Sequence, residues 1–160
     1  MHKLINPERN NPGYHCYGCC PDNLRGLKME FWEDGEDILA IWNPDKDFQS
    51  YENILHGGVQ MALLDETACW VMMVKAGTSG YTRRMEVDFE KPVFVSRGEI
   101  YIRGTLRCIE GDVAWIDLWI SEANGKIRTR ACAEFFVLPE SMAIKRLQYP
   151  GHERFQADNR

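Results

Sequence analysis

The sequence predicts an α+β domain in which one long central helix is wrapped by a strongly curved antiparallel sheet of about six strands. Two observations carry this. From Val59 to Val74, 12 of 16 residues are apolar, a run too long for an ordinary strand and too short for a membrane span. On either side of it, apolar residues alternate with polar ones in runs joined by short turn signals, the pattern of half-buried antiparallel neighbours.

The elements follow in order. Residues 1–26 are rich in Asn, Pro, Gly and Cys, with turn signals at Asn10-Asn11-Pro12-Gly13 and Pro21-Asp22-Asn23, and read as an irregular arm. Leu27, Met29 and Phe31 alternate with Lys28, Glu30 and Trp32 as a first strand. Asp34-Gly35 turns it into a second, Ile38 to Trp42, which Asn43-Pro44-Asp45 ends. A loop over 43–55 leads to the helix, from about His56 to Ala76, with Gly77 as its stop. A helix apolar on nearly all sides must be enclosed on nearly all sides.

Strands supply the enclosure. Met85, Val87 and Phe89 alternate with Glu86, Asp88 and Glu90 up to Lys91-Pro92. Ile100, Ile102, Leu106 and Cys108 share one face of a long strand that Gly111-Asp112 turns into Val113–Ser121. Asn124-Gly125 then leads into a last strand near Lys126–Leu138. The polar remainder, 139–160, holds a short helix near Ser141–Leu147 and a loose end from Pro150. The domain proper is 27–138. Two strands, a buried helix and four strands in that order describe the hotdog arrangement, one sheet rolled around one helix.

Composition narrows the class of function. A chain of 160 residues fits one core, and 44% hydrophobic residues with 27% charged is no disordered composition. Lys+Arg is 19 against Asp+Glu 24, a net charge of -5, so no nucleic-acid partner is expected. No apolar run reaches the ~20 residues of a membrane span. The start, Met1-His2-Lys3-Leu4-Ile5-Asn6-Pro7, lacks the apolar stretch of a signal peptide. Without export, the six cysteines read as reduced thiols of a cytoplasmic protein. Cys16-x-x-Cys19, with His15 and Cys20 beside it, has zinc-ligand spacing, but a tetrahedral site usually takes a second ligand pair and the sequence holds none. No metal is therefore expected, and the cluster reads as buried thiols.

Two features carry candidate chemistry. His56-Gly57-Gly58 falls at the helix start, where unpaired N–H groups and a partial positive charge can receive a ligand oxygen, and glycine lets it approach the backbone. An oxyanion hole is one reading; a plain helix cap is the other. Asp65 falls in mid-helix, where a carboxylate is costly unless compensated. It serves either as a base or nucleophile, or as the partner of a strand residue such as Arg84 or Arg103, or as the cap of a backbone group. Glu66 is next to it but ~100° around the helix, so the two cannot face one atom. Asp65 lies nine residues after His56, ~13 Å along the axis. One carbonyl cannot touch both ends in one chain, so a shared site implies a C2 homodimer with two composite sites, or a tetramer of such dimers.

The runs Phe48-Gln49-Ser50-Tyr51, His56-Gly57-Gly58-Val59 and Leu63-Leu64-Asp65-Glu66 resemble hotdog-fold acyl-CoA thioesterases of the phenylacetate-pathway (PaaI-like) type. So do Thr82–Val93 and the lead-in Cys16-x-x-Cys19 to Leu27, over roughly residues 16–138. The resemblance implies a coenzyme A thioester as substrate and no cofactor. It puts Asp65 in the place of the acidic catalyst, Gly57 and Gly58 as oxyanion donors, His56 as their buttress and Thr82 as an orienting hydroxyl. Some members carry Asn where Ser50 stands; Asn53 is near but does not align. Ser50, Asn53, Glu66, Arg83 and Arg84 are candidate substrate contacts, and Arg97, Arg128 and Arg130 further candidates for CoA phosphates. Trp70, Met72 or Met73, with Phe48 and Tyr51, would line an acyl pocket, while Trp115 and Trp119 share a strand face as structural residues. A hotdog hydratase is a rival reading, although its Asp-x-Asn-x-x-His pattern is absent here. So is a non-catalytic acyl-CoA-binding module on the same fold.

Overall fold

The structure, a computed structural model, describes residues 1–156. The chain runs β1 (His2–Lys3), β2 (Phe31–Asp34), β3 (Asp37–Trp42), α1 (Gly57–Val74), β4 (Gly80–Phe89), β5 (Ile100–Glu110), β6 (Val113–Glu122), β7 (Ile127–Val137) and α2 (Glu140–Leu147). All seven strands form one antiparallel sheet in the order β1-β2-β3-β5-β6-β7-β4. The expected six are present, with the two-residue β1 added from the arm.

The hairpins sit where the turn signals placed them. Asp34 pairs with Asp37 around Gly35-Glu36, and Glu110 with Val113 around Gly111-Asp112. Helix α1 instead carries the chain from β3, near one edge of the sheet, to β4 at the other. Leu63, Leu64, Ala68, Val71 and Met72 pack inward against strand residues such as Ile102, Ile116 and Phe135, all essentially solvent-free.

Gly104 sets how closely the helix approaches. A Cβ there would lie 2.9 Å from Val71, 3.0 Å from Leu118 and 3.3 Å from Thr67. Gly104→Ala should therefore cost about 1–3 kcal/mol by overpacking, at roughly 2–4 °C of Tm per kcal/mol for a chain of this size. An unchanged Tm would show that the helix can lift away freely.

Four expectations need correction. The strand expected from Leu27 enters the sheet only at Phe31. Its first part hydrogen-bonds the arm instead, Leu27 N–H to Tyr17 O at 2.8 Å and Met29 N–H to Gly18 O at 2.9 Å, with Lys28 at φ 54. The alternation still holds, since Leu27, Met29 and Phe31 are buried and Lys28 and Glu30 exposed. The end beyond Pro150, expected to be loose, folds back as far as residue 156. Phe155 is buried edge-on to Trp70 at 5.3 Å, and the Tyr149 hydroxyl donates to Met73 O at 2.7 Å. Finally, the sheet leaves one stripe of α1 uncovered. Met61 is 40% exposed, Gly58 is exposed, and Ala62, Asp65, Cys69 and Met73 are half-buried. Phe89, expected to face inward, is 49% exposed on the free edge strand β4.

An ion-pair triad centred on a buried carboxylate closes the β6–β7 turn. Glu122, 7% exposed, accepts from Arg97 at 2.9 Å and Arg128 at 2.6 Å. Arg128 first, and Arg97 after it, hold the Glu122 carboxyl below the usual carboxylate range. A depressed folded pKa stabilises above the unfolded value of about 4.3 and loses that stabilisation as pH falls through the folded pKa. The Tm gap between wild type and Glu122→Gln should thus be full near pH 6–7 and shrink toward about pH 3. A pH-independent gap would contradict this linkage.

Candidate active site

The helix start is built by its cap. His56 has extended backbone angles (φ -60, ψ 133), and its Nδ1 accepts the Gly58 N–H at 2.9 Å, so the neutral ring carries its proton on Nε2. This corrects the expectation that Gly57 and Gly58 both offer N–H groups, because the Gly58 donor is already used. The Gly57 N–H has no acceptor among the described residues. A Cβ at Gly58 would come within 3.1 Å of the His56 ring, whereas at Gly57 the nearest atom is Phe89 at 3.5 Å, an ordinary contact. Gln60, which sequence reasoning overlooked, braces the turn: its Nε2 donates to Leu55 O at 3.2 Å and its Oε1 accepts from Thr129 at 2.6 Å. The one signal for it was an amide among apolar neighbours.

Two turns along, Asp65 sits on the uncovered stripe. Thr82, at the start of β4, donates its hydroxyl to Asp65 Oδ1 at 2.7 Å. Among the described residues no cation pairs with Asp65. The strand arginines weighed as its partners are engaged elsewhere, Arg84 with Glu134 and Glu86, and Arg103 with Asp34 and Asp37. Asp65 therefore presents a carboxylate oriented by a hydroxyl, with one oxygen unclaimed among the described residues.

Glu66 points elsewhere, which corrects its assignment as a substrate contact. It lies under the N-terminal arm, accepts from Trp70 Nε1 at 3.2 Å, and has Cys16 Sγ at 3.6 Å from both oxygens. Burial pushes its carboxyl up to about 7. Asn53 is also accounted for. It adopts the left-handed conformation (φ 64) that asparagine tolerates, and its Oδ1 accepts the Ser96 N–H at 2.8 Å. The Ser50 N–H closes the loop on Ile54 O at 2.8 Å, and its hydroxyl leans to the same oxygen at 3.4 Å. Both residues brace the loop before the helix.

The candidate phosphate ligands all carry acidic partners: Arg83 and Arg84 share Glu134, Arg97 and Arg128 share Glu122, and Arg130 meets Glu90. Of the proposed pocket residues, Trp70 stacks on Phe31 at 4.2 Å and Met72 is fully buried, so both belong to the core. A cavity of about 540 Å³ opens between the arm and the Phe31–Trp70 pair rather than beside Asp65.

One helix lying across the concave face of one curved antiparallel sheet defines a hotdog protein, here with a helix-borne carboxylate and a glycine-started helix. Residues 52–124, just under half of the chain, match the family model of the thioesterase superfamily. A Streptococcus mutans structure bound to acetyl-CoA is similar at TM-score 0.64 and 15% identity, over 70% of this chain and 90% of the other. The PaaI protein of the Escherichia coli phenylacetic acid degradation operon is similar at TM-score 0.63 and 15% identity, over 71% and 82%. At such identities the likeness is one of fold. An uncharacterized Schizosaccharomyces pombe protein is 24% identical over 117 residues, 71% of this chain and 66% of that one, so the match spans just under two-thirds of the relative. No helix among the described residues is long and apolar enough to cross a membrane.

Proposed function

We propose that this protein hydrolyses an acyl-CoA thioester to a carboxylic acid and free CoA, as a homodimer with composite sites. The observation that carries the reading is Asp65: a mid-helix carboxylate with no cationic partner among the described residues, held by Thr82, on a stripe that the chain's own sheet leaves uncovered. Asp65 takes a proton from water as the water oxygen attacks the thioester carbonyl, and returns it to the departing thiolate. The developing oxyanion is received by the Gly57 N–H at the positive end of a helix. Because that N–H is ~12 Å from Asp65 along its own helix, the donor comes from the partner subunit.

The free edge of β4, ten residues long, and the open stripe of α1 beside it support a two-fold pairing that covers both. Arg83 and Arg84 adjoin Thr82 and are 48% and 62% exposed in their side chains. The Arg84–Glu86 pair is exposed and contributes at most about 1 kcal/mol, so Arg84 can turn from Glu86 to a CoA phosphate at little cost. Six free cysteines fit a reducing, cytoplasmic setting.

Thiol release from a panel of short, medium and aryl acyl-CoAs tests the reaction. At least one class should turn over well above buffer hydrolysis. Saturable binding with no release across the panel would instead favour the non-catalytic module.

A further inference from the structure

The Cys16–Cys19 loop plays no part in that chemistry, yet it is built around the Glu66 carboxylate. Cys16 Sγ lies 3.6 Å from both Glu66 oxygens, and donor atoms of Cys16, Cys19 and Glu66 all lie within 4.8 Å of one another. A metal–sulfur bond of about 2.3 Å and a metal–oxygen bond of about 2.0 Å, at the tetrahedral angle, separate sulfur and oxygen by about 3.5 Å. The observed spacing matches the edge of a coordination tetrahedron, and in the metal-free chain it is that of a thiol donating to the carboxylate.

The surroundings match those of ligand atoms. Cys19 Sγ has the Tyr14 hydroxyl at 2.8 Å and Asn6 Nδ2 at 3.6 Å, and Trp70 orients Glu66. Outer contacts of this kind aim metal ligands. Gly18 has no room for a side chain, because a Cβ would collide with the Glu66 carboxylate. Among the described residues no Lys or Arg forms an ion pair with Glu66.

We propose that Cys16, Cys19 and Glu66 bind one Zn²⁺ per chain, with water in the fourth position. Both thiols give up their protons on binding. Three ligand charges against the dication leave one net negative charge, which the Tyr14, Asn6 and Trp70 donors offset. The ion clamps the N-terminal arm to the helix that carries Asp65. Sequence spacing suggested no metal because it showed one Cys pair without a second; the third ligand comes from the helix, 50 residues further on.

The test uses the full chain, free of any affinity tag and purified under reducing conditions without chelator. Elemental analysis should give about one zinc per chain. Cys16→Ser and Glu66→Gln should lose it at least tenfold, and Cys132→Ser should keep it. Cobalt(II) added to the metal-stripped wild type should show a thiolate-to-metal charge-transfer band and the intense visible bands of tetrahedral cobalt, a readout that needs no variant to fold. Zinc below a tenth of the chain concentration together with no thiolate–cobalt band would overturn the proposal. So would four titratable thiols instead of six in metal-free denatured protein, which would mark a Cys16–Cys19 disulfide.

Discussion

Asp65→Asn should reduce thiol release from acyl-CoA by about 10²–10⁴-fold, the usual contribution of a positioned general base. The substitution keeps the shape of the side chain, and the amide oxygen can still accept the Thr82 hydroxyl now 2.7 Å from Oδ1. It removes only the capacity to take a proton. No ion pair is lost, since Asp65 has no cationic partner among the described residues. Tm and oligomeric state should therefore match wild type while kcat falls. Wild-type turnover in this variant would remove Asp65 from the reaction. A fall in activity accompanied by an equal loss of folded protein would make it a structural residue.

Gly57→Pro tests the other half of the site. Gly57 is the first residue of α1 after its His56 cap, the helical position at which proline is most at home. His56 already has the extended angles (φ -60, ψ 133) that a residue before proline requires. The nearest atom to an added Cβ is Phe89, 3.5 Å away. The change deletes one N–H and little else. Loss of one oxyanion donor typically costs about 10²–10³ in kcat, and that loss is expected here with an intact fold.

Mixing the two defective proteins separates a composite site from one within a single chain. If each site takes Asp65 from one subunit and Gly57 from the other, a heterodimer of Asp65→Asn with Gly57→Pro holds one intact site of its two. Random exchange makes half the dimers mixed, so about a quarter of wild-type activity should return. No recovery under proven subunit exchange would refute the shared site.

Local signals made much of this molecule legible in the sequence. The helix begins and ends within two residues of where its apolar run and Gly77 placed it, and Asn124-Gly125 turns β6 into β7 as its composition dictates. Such features are set by neighbours in the chain: side-chain periodicity, turn chemistry and helix caps act over a few residues. Even the angular separation of Asp65 and Glu66 followed from helical geometry alone.

What the sequence could not decide is what each side chain meets across the fold. Asp65 was open to an arginine partner, and only the placement of β4 beside α1 gave it Thr82 while Arg84 and Arg103 found other acids. Glu66 looked like a second functional carboxylate until the arm folded beneath it and set Cys16 against both its oxygens. The Gly58 donor was lost to the His56 ring, a rotamer choice that composition does not record. By itself the sequence determined an apolar helix, the strands that wrap it and the two adjacent carboxylates set among its apolar residues. The tertiary structure alone decided which polar atoms are spent and which are left over. Hydrogen-bond partners many residues apart are selected by packing, and packing is a property of the whole chain.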